Sequence, residues 1–159
     1  MNLSQLDAVA GRSGDVRFDH VVGARAEYAA ALRDIEHALW AQDLVSPVIL
    51  ELCRLRIAQI LGCAAALEHR TTQAVTADLD ETLVDSLTRW PTEPCFDSRV
   101  RACLGYAEQI LIDAQEVDDE QAHAVIAEIG DGGFLVLTYA CGLFETTQRA
   151  RLVLGATRW

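Results

Sequence analysis

Apolar residues recur at spacings of three and four along most of this chain, the period of a helix with one buried face. Ala24, Tyr28, Ala31, Leu32, Ile35, Leu39 and Trp40 form the first such stripe, with Arg25, Glu27, Arg33, Asp34 and Glu36 between them. The stripe predicts a helix beginning near Gly23. Ser46-Pro47 predicts the start of the next, since Ser caps a helix N-terminus and Pro at the first helical position loses no needed hydrogen bond. Val48, Ile49, Leu50, Leu52, Leu55, Ile57, Ile60 and Leu61 leave that helix apolar on most sides, so it is expected at the centre of the fold. Gly62 is expected to end it, and a further helix is expected from Cys63 to about Thr76. Asp78 or Asp80 is expected to cap a short helix reaching Trp90. Pro91 and Pro94 mark a loop, PTEPCF, because neither fits a helix interior. Asp97 should cap a long helix from Ser98 to about Ala114, and a helix from Asp119 to Ile129 should follow. Gly130-Asp131-Gly132-Gly133 reads as a turn before a last apolar helix, Phe134 to Leu154. That glycine run follows a helix rather than a strand and lacks the spacing of a phosphate cradle.

No stretch reads as a strand. The pattern predicts an all-α protein of about seven helices. One helical domain spans residues 23–159, behind an irregular N-terminal arm of residues 1–22. Composition agrees: 51% of the 159 residues are hydrophobic and only 6% are aromatic. Such a chain favours packed helices over sheet. A net charge of −11 argues against nucleic acid, whose phosphates need clustered Arg and Lys, and against an anionic membrane surface. Five cysteines with no recognisable secretory leader suggest a cytoplasmic protein with reduced thiols. No metal or cofactor is expected.

Candidate chemistry gathers in Glu51–Arg70, ELCRLRIAQILGCAAALEHR. Cys63 follows a glycine break and opens the next predicted helix, where free N–H groups would favour a thiolate. A buried, inert thiol is the equally weighted alternative. Glu51 is the only acid in its helix. It reads either as an i,i+3 ion pair with Arg54 or as a half-buried carboxylate of raised pKa, able to pass protons near the thiol. On one continuous helix Arg70, seven positions after Cys63, would share its face and could hold a carboxylate. His69 would not share that face.

These residues resemble the carboxymuconolactone decarboxylase and alkylhydroperoxidase D (AhpD)-like superfamily, whose members read Glu, Leu-x-Arg-Leu-Arg, Gly-Cys, then C-x-x-C-x-x-x-H. The later TRWPTEPCFDSRVRACLGYAEQI and FLVLTYACGLFETTQRARLVLG are similar to its loop and closing helix. The resemblance implies an all-helical fold assembling as trimers or hexamers. In redox-active members it implies a disulfide cycle that reduces hydroperoxides, with Glu and His as proton relay. Glu51 matches the relay acid and Cys63 the first cysteine. Ala66 stands at the second cysteine position, and Arg70 at the histidine position with His69 one place early. Without a second sulfur at position 66 the family's dithiol cycle cannot run there.

The site expected on these grounds comprises Glu51, Cys63 and His69 as catalytic residues and Arg70 as a substrate anchor. The first reading is a diverged small-molecule enzyme using acid–base chemistry in that pocket. The second is a one-cysteine peroxidase at Cys63, resolved by an external thiol. The third is a non-catalytic oligomeric binding protein with Glu51 salt-bridged. In each the chain is expected to form homo-oligomers, and in the enzymatic readings the other partner is a small molecule.

Overall fold

The computed structural model describes His20 and residues 22–154. The expected arm of residues 1–22 therefore lies almost wholly outside the described residues. Its elements are α1 (Ala26–Ala41), α2 (Pro47–Leu61), α3 (Ala64–Leu67), α4 (Thr72–Thr76), α5 (Glu81–Ser86), α6 (Ser98–Asp113) and α7 (Asp119–Leu154). Two 3-10 turns, Leu87–Arg89 and Ala114–Glu116, follow α5 and α6. No strand occurs among the described residues, so the all-α expectation holds.

α2 is the centre, as its sequence predicts. Ile49, Leu50, Leu52, Cys53, Leu55, Ile57 and Ala58 are all buried. α2 packs against both α6 and α7, which pack against each other. Each fully buried Leu or Ile in this three-helix centre contributes about 1.5–3 kcal/mol relative to exposure. Both ends of α2 are closed as the sequence suggests. The Ser46 hydroxyl accepts the Val48 N–H at 3.3 Å. Gly62, at φ 69°, takes the left-handed conformation that glycine adopts without penalty. The Cys63 N–H then donates to the Ala58 carbonyl at 2.9 Å and the Gly62 N–H to Gln59 at 3.3 Å. These two bonds are a Schellman end. They turn the chain sharply and fix where Cys63 begins.

Three expectations need correction. The helix predicted from Cys63 to Thr76 is two short helices, α3 and α4, with Glu68–Thr71 between them. Its residues are Ala-rich without an apolar face long enough to hold one continuous helix, and side-chain bonds from α2 hold the chain open there. The four-residue glycine turn contracts to one residue. Gly130 alone leaves helical geometry, at φ 72° and ψ 170°, so the last two predicted helices run together as two arms of α7. Finally, α1 buries little of its predicted face. Ala29 is buried and Leu39 and Trp40 pack on the core, but Tyr28 and Ile35 are exposed.

α7, Asp119–Leu154, is the one helix among the described residues long and apolar enough, by length and composition, to cross a bilayer. One side of it belongs instead to the core: Leu137, Ala140, Cys141 and Phe144 are buried. The PTEPCF loop is stapled from below. Arg101 donates to the carbonyls of Trp90 (2.7 Å), Phe96 (2.9 Å) and Glu93, satisfying backbone groups that no helix could.

Candidate functional site

Glu51 is completely buried. Position 51 of α2 faces the short-helix segment, so its carboxylate leaves water and must be compensated. It is. Arg54, one turn on, donates from Nε to Oε2 at 2.8 Å and from Nη2 to Oε1 at 2.6 Å. Thr71 donates its N–H to Oε1 at 3.2 Å and its hydroxyl to Oε2 at 3.0 Å. Each carboxylate oxygen thus accepts two hydrogen bonds, which fills its lone-pair positions. The fork-to-fork Arg–carboxylate pair is the strong form of the interaction. The carboxylate expected to be half-buried is fully buried and ion-paired with Arg54.

Arg54 carries the clamp further. Its Nη1 donates to the Ala66 carbonyl at 2.9 Å and its Nη2 to that of His69 at 2.8 Å. One buried ion pair on α2 thereby ties down the turn between α3 and α4 at three points: residues 66, 69 and 71. From α7, Gln148 Nε2 donates to the Arg54 carbonyl at 2.9 Å. Gln148 is buried too, and among the described residues its Oε1 has no hydrogen-bond partner. Nothing in the sequence reading singled out Gln148. The available signal was a lone amide on the buried side of an apolar helix, one turn after Phe144.

Cys63 is the residue before α3 and is buried against Ala58, Ala66 and Leu67. Its N–H is committed to Ala58, and α3 has only four residues, so the helix-end field expected for the thiol is small. Among the described residues no hydrogen bond reaches its sulfur. Of the five cysteines only Cys95, in the PTEPCF loop, is exposed. Alkylation of the native protein is therefore expected to label Cys95 rapidly and Cys63 at least about a hundredfold more slowly, because the reagent must reach the sulfur. Peptide mass spectrometry after timed iodoacetamide quenching measures the ratio; equal rates would show that the 63–71 segment opens readily.

His69 and Arg70 lie on the outer side of the clamped turn. His69 is exposed, and its Nδ1 lies 3.1 Å from the Ala65 carbonyl. A carbonyl only accepts, so Nδ1 carries the proton in this bond, and Nε2 is the ring nitrogen left to exchange a proton with a substrate. Arg70 does not point along a helix face toward Cys63, because no helix connects them. Its Nη1 donates to the carbonyls of Leu67 (2.7 Å) and His69 (3.1 Å). Its Nε and Nη2 meet the Glu81 carboxylate, both at 3.1 Å. The structure thus brings Glu51, His69 and Arg70 onto one turn, with Arg54 and Arg70 sharing the His69 carbonyl. It forms no hydrogen bond between Cys63 and any of them. An open hollow of about 340 Å³ borders the same segment, lined by Pro47, Thr72, Gln73, Thr76 and Ala77.

Comparison with known proteins decides the family. Residues 26–109, more than half of the chain, match the model of the carboxymuconolactone decarboxylase family. The chain belongs to the carboxymuconolactone decarboxylase family. That span takes in α1 through most of α6, including the whole Glu51–Arg70 stretch. The fold is also similar to that of a protein of unknown function from Agrobacterium tumefaciens, proposed to be an antioxidant defence protein AhpD. The TM-score is 0.74 at 22% identity, over 84% of this chain and 92% of the other. At that identity the likeness shows the fold. No curated protein matches the chain. The carboxymuconolactone decarboxylase family includes enzymes.

Proposed function

We propose that this chain is a small-molecule enzyme of the carboxymuconolactone decarboxylase family that acts on a carboxylate substrate by acid–base chemistry, without a dithiol cycle. The observation that carries this reading is the setting of Arg70. Two backbone carbonyls pin one end of its guanidinium and leave the Nε–Nη2 edge to a carboxylate, at present that of Glu81. Such an edge is the bidentate geometry that recognises carboxylates. The Glu81 side chain is 60% exposed, so exchange for a substrate carboxylate costs little.

In this reading His69 Nε2 moves the proton, since its tautomer is set by Ala65 and it neighbours the anchor in sequence. Glu51 positions the turn through Arg54 and Thr71. Cys63 contributes packing. Five free thiols fit a cytoplasmic setting.

The test is turnover of carboxymuconolactone and simpler lactone carboxylic acids, followed by NMR. Arg70→Gln is expected to raise KM by about tenfold or more, by loss of one bidentate contact, with a smaller effect on kcat. His69→Ala is expected to lower kcat by about 10²–10⁴ with KM little changed. Glu81→Gln, which frees the anchor, is expected to lower KM. Turnover indifferent to both His69 and Arg70 would overturn the proposal. So would its absence alongside peroxide-driven sulfenic acid formation at Cys63, which would favour the one-cysteine peroxidase.

A further inference from the structure

The carboxylate that sits on Arg70 belongs to a helix that its own fold holds weakly. α5 has six residues and none of them is buried. A helix that short does not persist on its own hydrogen bonds. Among the described residues three features hold it. Asp80 caps it, its Oδ1 accepting the Thr82 N–H at 2.8 Å. Leu83 and Val84, both half-buried, pack on the core. Glu81, its first residue, reaches Arg70.

The segment lies between a turn and an anchor. Among the described residues Asp78 is the one non-glycine residue at positive φ, 57°. It closes α4: its N–H donates to the Val75 carbonyl at 3.1 Å, and that of Leu79 to Ala74 at 3.0 Å. Left-handed backbone disfavours a side chain, so this turn gives up little by rotating. At the other end Leu87 is completely buried. The two halves of the ion pair are held unequally. Two carbonyls pin Arg70, whose side chain is 22% exposed. Glu81 is far more open, and among the described residues its carboxylate meets no partner but Arg70. The half that is free to move is therefore the one carried by α5.

Given Arg70 as the carboxylate anchor, we propose that residues 79–86 are a strap latched shut by Glu81 on Arg70, which an incoming carboxylate releases by taking the same Nε–Nη2 edge. Unlatched, α5 keeps only its cap and two half-buried side chains. It then opens from Asp78 while Leu87 stays in the core. Ligand and latch compete for one edge, so each carboxylate bound at Arg70 shifts the strap toward its open state. The latch also selects. An anion without two coplanar oxygens, such as chloride, does not replace a bidentate partner.

The test is amide hydrogen exchange of the full chain, read by mass spectrometry. Native protein, Glu81→Gln, Arg70→Gln and the double variant are compared in chloride, acetate or acetamide at constant ionic strength. Arg70 lies outside α5, so its variant removes the latch without changing the charge in that helix's first turn. The amides of 79–86 are expected to exchange about fivefold faster in either single variant than in native protein, and no faster in the double. Peptides from α2 and α6 are expected to keep their native rates. Acetate is expected to speed 79–86 in native protein and in neither variant, and acetamide in none. Equal exchange of 79–86 in all four proteins would overturn the proposal, because Glu81 would then leave Arg70 by side-chain rotation alone. So would a rise spread evenly over α2 and α6, or a native strap indifferent to acetate. Exchange is read without turnover, which separates two failures. A strap that opens as described on a chain that turns over no lactone acid would count against the enzyme alone. An active chain with identical exchange throughout would count against the strap alone.

Discussion

Glu51→Gln is expected to destabilise the folded chain by about 3–5 kcal/mol, because it removes one partner of a buried ion pair. Arg54 would keep its charge with only 14% of its side chain exposed, and the acceptor that neutralises it would be gone. The amide cannot repair the site. An Arg54 N–H meets each of the two side-chain oxygens of residue 51, so the new NH₂ group would face an N–H whichever way the amide turned, and only the Thr71 hydroxyl could rotate to accept from it. The damage would spread along the clamp, since the Ala66 and His69 carbonyls depend on the same guanidinium. For a chain of this size about 4 kcal/mol corresponds to a fall in Tm on the order of 10 °C. Urea unfolding of native protein, Glu51→Gln, Arg54→Gln and the double variant measures it. Each single variant should lose most of the clamp, and the double should lose much less than their sum, because the two residues act as one unit. A loss below about 1 kcal/mol for Glu51→Gln would mean the pair does not hold the turn.

A steep loss of stability above pH 9 is the second large expectation. Cys53, Cys103 and Cys141 come from α2, α6 and α7 and lie in one buried apolar cluster. Burial pushes the Cys103 and Cys141 thiols up to about 12, and the Cys53 thiol well above its ordinary value. After burial, Cys141 and Cys103 raise Cys53, Cys103 raises Cys141, and Glu128 raises Cys103. A thiol near 9 when unfolded and near 12 when folded keeps its proton only in the folded state between those values. The unfolded chain then binds fewer protons, so stability is fully present below pH 9 and falls as pH rises toward 12. The slope is at most about 1.4 kcal/mol per pH unit for each thiol. By pH 10.5 that amounts to about 2 kcal/mol per thiol. The sequence contains no lysine, so amine deprotonation does not obscure the effect. Tyr106, also raised by burial, adds to it in the same direction. Urea midpoints at pH 7, 9 and 10.5 measure the loss. The triple variant Cys53→Ala, Cys103→Ala, Cys141→Ala should start less stable but show a flatter profile. A native profile flat to pH 10.5 would contradict the buried-thiol account.

The helical framework was legible because its signals are local. Ser46-Pro47, Gly62 and Asp97 mark ends through hydrogen bonds made within a few residues, and the structure uses each of them so. The apolar run of α2 announced its central place because a helix apolar on most sides has nowhere else to go. Local signals failed where distant groups intervene. Nothing within residues 63–76 says that the chain breaks at 68–71; the break is held by Arg54 and Glu51, fifteen to twenty positions away. Once it exists, the face-sharing of Cys63 and Arg70 no longer applies. The Gly130 turn was overdrawn for the opposite reason: four turn-prone residues were available and the backbone needed only one.

For the site, sequence alone determined the inventory: one acid in an apolar helix, one thiol at a glycine break and a His-Arg pair. It also determined the family, because the motif and its spacing are linear properties. Tertiary structure decided what the inventory does. It buried Glu51 against Arg54 and Thr71, where each of its oxygens accepts two hydrogen bonds. It sealed Cys63 among alanines and a leucine. It turned Arg70 outward to Glu81 and brought Gln148 from α7 onto the carbonyl of Arg54. The physical reason is range. Caps and periodicity act over one or two turns, whereas the state of a buried charge is set by whichever donors the fold brings to it from elsewhere in the chain.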